Sequence, residues 1–279
     1  MSQLVSGLVG TWEEFEAELA AWVAAGQRAS LWWRDDDAIE PTPALDRLLA
    51  LAAGKGLPLA LAVIPARATP ALVARLARAE GTIAVLQHGF AHRNHAAAGS
   101  AKIELGGPRE RRAIAEELAR GGAMLAALFQ GGETGTPPRL PVMVPPWNRI
   151  DGDVVALLPE LGYRGLSADG PRAAPRPEVG LTQANTHLDI MHWPPPRGFL
   201  GEARCLALLT GHLRARRKGR VEATEPTGLL THHLAHDGPA WDFLERLLAR
   251  LARHPAVVWR GAGDIFSGTD EARGGHAEP

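Results

Sequence analysis

The stretch Leu31-Trp32-Trp33-Arg34-Asp35-Asp36-Asp37 decides the fold. Large apolar residues run without a break into charged ones, as they do where a buried strand leaves a core and delivers charge at its C-terminal end. An amphipathic helix precedes it. Thr11 stands before Glu14 at the capping-box spacing, and Trp12, Phe15, Leu19 and Trp22 recur at helical intervals. Downstream, Thr42-Pro43 marks the start of another helix.

The alternation continues along the chain. Strands are predicted over 57–64, 82–86, 140–144, 163–167, 186–193, 229–231 and 257–259, and helices over 70–79, 108–129, 151–161, 202–217 and 239–253, with Asp151 as an N-cap. A run of about eight strands and intervening helices without a composition break favours an α/β fold, a single (β/α) barrel of about seven to eight parallel strands, distorted or incomplete, over an open sheet. The barrel domain is placed at residues 1–267, and the polar, Gly-rich residues 268–279 are expected to form a disordered tail.

Composition bounds the function. In 279 residues, hydrophobic types make up 46% and charged types 22%, enough to bury a large core and unlike a disordered chain. A formal net charge of -1 removes the basic field that drives non-specific nucleic-acid binding, so no nucleic-acid partner is expected. The single cysteine, Cys205, permits neither an internal disulfide nor a C-x-x-C metal site and favours a reducing compartment. Residues 1–10 lack a leader's charged and apolar regions, and no apolar run reaches the ~18 residues of a membrane span. A soluble cytoplasmic protein is therefore expected.

Polar clusters follow several of these strands, on the rim where barrel enzymes assemble their sites. Adjacent carboxylates at Asp35-Asp36-Asp37 repel unless a cation offsets them, and a metal is one such cation; a solvated loop is the competing reading. If the chain is helical from His88 onward, His88 and His92 lie one turn apart on one face, the spacing of two ligands on a divalent metal, with His95 near them; a structural or solvent-exposed pair competes. Val144-Pro145-Pro146-Trp147-Asn148-Arg149 places a stiff turn, an aromatic and polar groups after another strand, or else a packed loop stiffener. Leu230-Thr231-His232-His233 adds two histidines, with His236-Asp237 close behind.

From Leu31 to His233 these clusters resemble, in order, the motifs of the polysaccharide deacetylase (NodB-homology, carbohydrate esterase family four) superfamily, metal-dependent deacetylases on a distorted barrel. Arg34 to Ala38 looks like its Thr-Phe-Asp-Asp-Gly signature, implying Asp36 as catalytic base and Asp37 as metal ligand; a register on Asp35 and Asp36 stays open. His88-Gly89-Phe90-Ala91-His92 matches His-Ser/Thr-x-x-His and implies two further ligands. Val144 to Trp147 resembles Arg-x-Pro-Tyr/Trp, which implies an oxyanion hole at the Trp147 N–H, with Pro146 and Asn148 in the same pocket. Val144 stands where the family has an arginine that orients the catalytic aspartate, which leaves a replacement from elsewhere, altered chemistry or weak catalysis. Asp189 to Trp193 partly echoes Asp-x-x-Asp-Trp, and Leu230-Thr231-His232 matches Leu-x-His, implying His232 as general acid.

The resemblance implies a hydrolase that removes an N-acetyl group from an amino sugar or glycan precursor, using a divalent metal. Zinc is the first candidate, because two histidines and one carboxylate are a catalytic zinc set. The rivals are another amide or ureide C–N hydrolase and a non-catalytic carbohydrate-binding homologue. Trp33, Trp147 and Trp193 offer stacking surfaces or core packing, and the basic run Arg214, Arg216, Arg217, Lys218 and Arg220 offers an acidic-polymer site or a solvated helix end.

Overall fold

The alternation of side chains along β1 (Ala29–Ala38) organises the computed structural model, which describes residues 9–130 and 134–267. On one face, Leu31 and Trp33 pack against the surrounding helices; on the other, Trp32 packs against Ala60, Ala62, Ala84, Leu86, Val142 and Val144 inside the barrel. In chain order the remaining strands are β2 (Leu59–Val63), β3 (Ile83–His88), β4 (Arg139–Val144), β5 (Gly165–Leu166), β6 (Thr182–Gln183), β7 (Leu188–Asp189), β8 (Met191–His192), β9 (Gly198–Phe199), β10 (Thr227–Thr231) and β11 (Val257–Trp259). The helices are α1 (Trp12–Ala24), α2 (Pro43–Lys55), α3 (Pro70–Ala77), α4 (Arg111–Gln130), α5 (Gly152–Val155), α6 (Glu202–Arg217), α7 (Gly238–Leu251) and α8 (Ala262–Phe266).

The sheet runs β6-β5-β4-β3-β2-β1-β10-β7 with every pairing parallel, and β11 pairs with the start of β1. Its two ends belong to one stretch of chain. The N–H groups of Thr182, Ala184 and Thr186 donate to carbonyls of Arg164, Leu166 and Ala168, whereas those of His187 and Ile190 donate to Gly228 and Leu230. This thin segment, with only two-residue strands β6 and β7, bridges the two edges in place of full strands, so the fold is an incomplete (β/α) barrel. Trp32 fills its lower interior, and Gly228 is required there: a Cβ would lie 2.6 Å from Trp32 Nε1 and 2.4 Å from the Asn185 carbonyl.

Local signals account for several helix starts. Thr11 and Glu14 form the reciprocal capping box of α1, and Thr42 caps α2 with Pro43 in its first turn. Two expectations change. The helix expected over 151–161 shortens to α5, because the Asp151 carboxylate accepts the Gly107 N–H instead of capping, and Pro159 cannot extend helical bonding. The extended run over 186–193 divides into β7 and β8, the latter pairing antiparallel with β9. Three of the five residues of the basic run are engaged within the fold, and Lys218 and Arg220 are exposed. Arg214 and Arg217 pair with Glu18, and buried Arg216 donates to the Ser30 carbonyl and Thr227 Oγ1. The tail expected at 268–279 lies outside the described residues.

The base of the barrel holds a buried polar cluster. His187 and His212 stack with ring centroids 3.6 Å apart, and burial, then the neighbouring His187 and Arg216, push the His212 imidazole down to about 2. An unfolded histidine takes up its proton near pH 6.5, so stability held above that pH is lost as the pH falls through the window between the two values. Wild-type protein is expected to lose up to about 1.4 kcal/mol more per pH unit than His212→Gln between about pH 6 and pH 4. Urea unfolding across that range checks this, and parallel losses in the two proteins would contradict it.

Candidate active site

Strict alternation would send Asp36 and Asp37 to opposite faces of β1. A bulge prevents this: the register with β2 shifts between Asp35 and Ala38, and Asp37 takes a left-handed φ of 72°. Both carboxylates then line one cavity of about 260 Å³ at the C-terminal rim, together with His88, His92, Trp147, Asn148, Arg149, Asp169, Asp189, Trp193 and His232. Pro146 is buried behind the wall and does not line it. Asp35 points the other way. Its Oδ2 accepts from Thr231 Oγ1 at 2.7 Å and the His233 N–H at 3.0 Å, and its Oδ1 lies 2.5 Å from His233 Nδ1. With both oxygens engaged away from the cavity, Asp35 sits outside the site.

The histidine pair is not helical. β3 ends at His88, and the following loop passes through left-handed Gly89 (φ 52°) and His92 (φ 56°). The loop brings the rings together, with centroids 5.1 Å apart. His88 Nε2 and His92 Nε2 lie 3.3 Å and 3.4 Å from Asp37 Oδ1, a buried oxygen with no hydrogen-bond partner among the described residues. One donor atom from each of the three residues lies within 4.8 Å of the others. His88 Nδ1 faces the Val144 carbonyl at 3.0 Å, which keeps its proton there and leaves the Nε2 lone pair toward the cluster.

This donor set fits a divalent cation. Burial raises the Asp37 carboxyl, but His88, His92 and His232 more than offset it, so it lies well below the usual range. Burial lowers the His88 imidazole, yet the carboxylates of Asp36 and Asp37 raise it overall, whereas His92 is lowered by burial and by His88.

A second cluster, His187, His212 and Glu225, has similar spacing but the wrong tautomer. His187 Nδ1 accepts the Gly228 N–H at 2.9 Å, so its proton sits on Nε2, facing Glu225 Oε2 at 3.3 Å. Both Glu225 oxygens also accept backbone N–H groups, from Asn185 and Arg172. No lone pair is left on His187 to bind a metal. None of His95, His187, His192 and His233 lines this rim cavity.

On the opposite wall, His232 Nε2 lies 4.0 Å from Asp36 Oδ2 and its Nδ1 lies 3.7 Å from Asp189 Oδ1. Burial lowers this imidazole, but Asp189, Asp36 and Asp37 outweigh it and push it up to about 9. Asp189 is held by the Met191 N–H and by Trp193 Nε1, which donates at 2.7 Å. Trp193 meets His232 edge-on, and Trp147 stands against His92. Trp33 is core: it is buried, with Nε1 donating to Thr231 Oγ1.

Val144, where the motif that this segment resembles has an arginine, packs into the apolar interior. A guanidinium arrives instead from β1. Arg34 is fully buried; its Nε donates to Asp36 Oδ1 at 2.8 Å and its Nη2 to Asp36 Oδ2 at 3.0 Å. Nη2 also donates to Asn148 Oδ1 at 2.6 Å, and Nη1 to the Ser167 carbonyl at 2.9 Å and Ser167 Oγ at 2.6 Å. All five N–H groups are thereby used. The signal was present in the sequence, because Arg34 and Asp36 are two residues apart on a strand and share a face. Asp169, pushed up by burial, was also missed, although it follows a strand end; Glu104 has no comparable local signal.

No family model and no curated protein matches this sequence. Solved structures match it in fold. A Mycobacterium smegmatis chain assigned as a polysaccharide deacetylase superposes with a TM-score of 0.60 at 18% identity, over 87% of this chain and 90% of that one. A family 4 carbohydrate esterase from Streptomyces lividans, in complex with acetate, gives 0.52 at 15% identity over 83% and 91%. The Bc1960 peptidoglycan N-acetylglucosamine deacetylase gives 0.52 at 14% identity over 86% and 89%. The chain has the fold of the polysaccharide deacetylases, at low sequence identity.

Asp37→Ala is expected to abolish divalent-metal binding, whereas Asp35→Ala keeps metal stoichiometry and lowers stability by about 3–5 kcal/mol through the broken buried pair. Metal analysis and denaturant unfolding of both variants check this; loss of metal from Asp35→Ala alone would reverse the assignment.

Proposed function

We propose that this chain is a metal-dependent hydrolase that removes an N-acetyl group from an amino sugar or glycan precursor, and that it belongs to the polysaccharide deacetylase superfamily. The observation that carries the proposal is the convergence, in one cavity, of the Asp37–His88–His92 donor set, an Asp36 carboxylate braced by Arg34, and His232 paired with Asp189. A divalent ion held by Asp37, His88 and His92, with zinc the first candidate, supplies Lewis acidity toward an amide carbonyl and water.

Asp36 takes the proton of the attacking water as general base. Arg34 keeps that carboxylate in one plane, filling the role left open by Val144, and the backbone N–H of Trp147, a residue of the cavity wall, is the proposed donor to the oxygen on which charge develops. His232, kept protonated by Asp189, donates to the departing nitrogen. Water is thus divided across the C–N bond, hydroxyl to the acetyl carbon and hydrogen to nitrogen, giving acetate and a free amine. Trp147 and Trp193 flank the cavity and offer faces to a sugar ring. Among the described residues no helix is long and apolar enough to cross a membrane. The single buried cysteine supports a cytoplasmic setting.

Protein purified without chelator is expected to carry near-stoichiometric divalent metal and to release acetate from a panel of N-acetylated sugars, losing this activity on chelation and regaining it on metal restoration. Metal without acetate release would favour another amide or ureide substrate or a binding role, and no metal would overturn the site. Asp36→Asn is expected to abolish turnover with metal content unchanged. A lysine lacks the planar fork, so Arg34→Lys is expected to lower kcat by about 100-fold with KM and metal content near wild type. Unchanged kcat in either variant would contradict its assigned role.

A further inference from the structure

We infer that Glu104 is the positioning residue of the His92 loop, holding the metal-ligand geometry before an ion arrives; this rests on Asp37, His88 and His92 binding a divalent ion. Glu104 is a fully buried carboxylate. Its Oε2 accepts the Phe90 N–H at 3.0 Å, and its Oε1 accepts those of Ala91 at 3.0 Å and Arg93 at 2.9 Å. The described residues show no ion pair from its side chain, so these amides supply the compensation a buried charge requires. The loop wraps its own internal anion, as backbone nests do around phosphate.

The loop's shape follows from this wrapping. Gly89 and His92 both take left-handed φ values, 52° and 56°, and a non-glycine residue holds that conformation only when its surroundings impose it. At Gly89 a Cβ would lie 2.1 Å from Glu104 Oε2 and 2.6 Å from Pro146, so glycine lets the backbone close on the carboxylate. Glu104 is itself anchored, since Arg109 Nη1 donates to its carbonyl at 3.1 Å and pairs through Nη2 with Glu117 at 2.8 Å. His88 has a separate support in the Val144 carbonyl, whereas the backbone on both sides of His92 is tied to Glu104.

The test is zinc affinity, measured by competition with a chromophoric chelator on the full chain, alongside thermal melting of the metal-free protein. Removing an outer support of a metal ligand typically weakens binding by about 10–100-fold, and Glu104→Gln, which presents an N–H₂ to amide donors, is expected to fall in that range. A merely structural role would lower the melting temperature while leaving the affinity of the folded protein unchanged, and that result overturns the inference. If Glu104→Gln fails to fold, Glu104→Asp, which keeps the charge but draws it back by one methylene, is expected to show an intermediate loss; wild-type affinity in that variant overturns the inference equally. Wild-type protein that binds no zinc would instead overturn the metal site, and the inference with it.

Discussion

The structure turns on one buried interaction, the two-pronged ion pair between Arg34 and Asp36 inside the barrel. A strand that carries charged residues into a dry interior must compensate each of them, since uncompensated burial costs several kcal/mol per ion. β1 does so on both faces. Asp35 is neutralised on the outer side by His233 and Thr231, Asp36 on the inner side by Arg34, and Asp37 escapes to the rim through the bulge. Arg34 also ties β1 to Ser167 and to Asn148 beside Trp147, so three parts of the rim share one guanidinium. The same contacts that make the charge tolerable hold Asp36 in place for the proposed chemistry.

Little separates the two histidine clusters, the candidate cation site at the rim and the structural group at the base. Spacing is similar in both, but the second hydrogen bond on each ring decides the outcome. A carbonyl opposite Nδ1 turns the Nε2 lone pair of His88 toward Asp37, whereas an amide N–H opposite Nδ1 of His187 places a proton on the nitrogen that faces Glu225. At the barrel base the ring proton of His187 thus faces Glu225, whereas at the rim the ring lone pair of His88 faces Asp37.

Much of this was legible in the sequence. The apolar run ending in Arg34-Asp35-Asp36-Asp37 announced a strand with charge at its end, and caps at Thr11 and Thr42 fixed helix starts. The residues of the proposed site were recognisable as strand-end clusters, and Trp147, Asp189 and Trp193 were placed with them. What escaped notice depended on long-range geometry. His88 and His92 meet through left-handed backbone rather than a helical turn, and the bulge that separates Asp37 from Asp35 is a property of pairing with β2. Glu104 works through loop amides that no spacing rule anticipates. Arg34 was readable in principle, because a period of two puts it on the face of Asp36.

The most direct measurement is an anomalous difference map from crystals grown with zinc. The account predicts one strong peak bounded by Asp37, His88 and His92, with Arg34 still on both oxygens of Asp36 and Asp35 still on His233. A peak at His187, His212 and Glu225, or one that recruits Asp35, would contradict it.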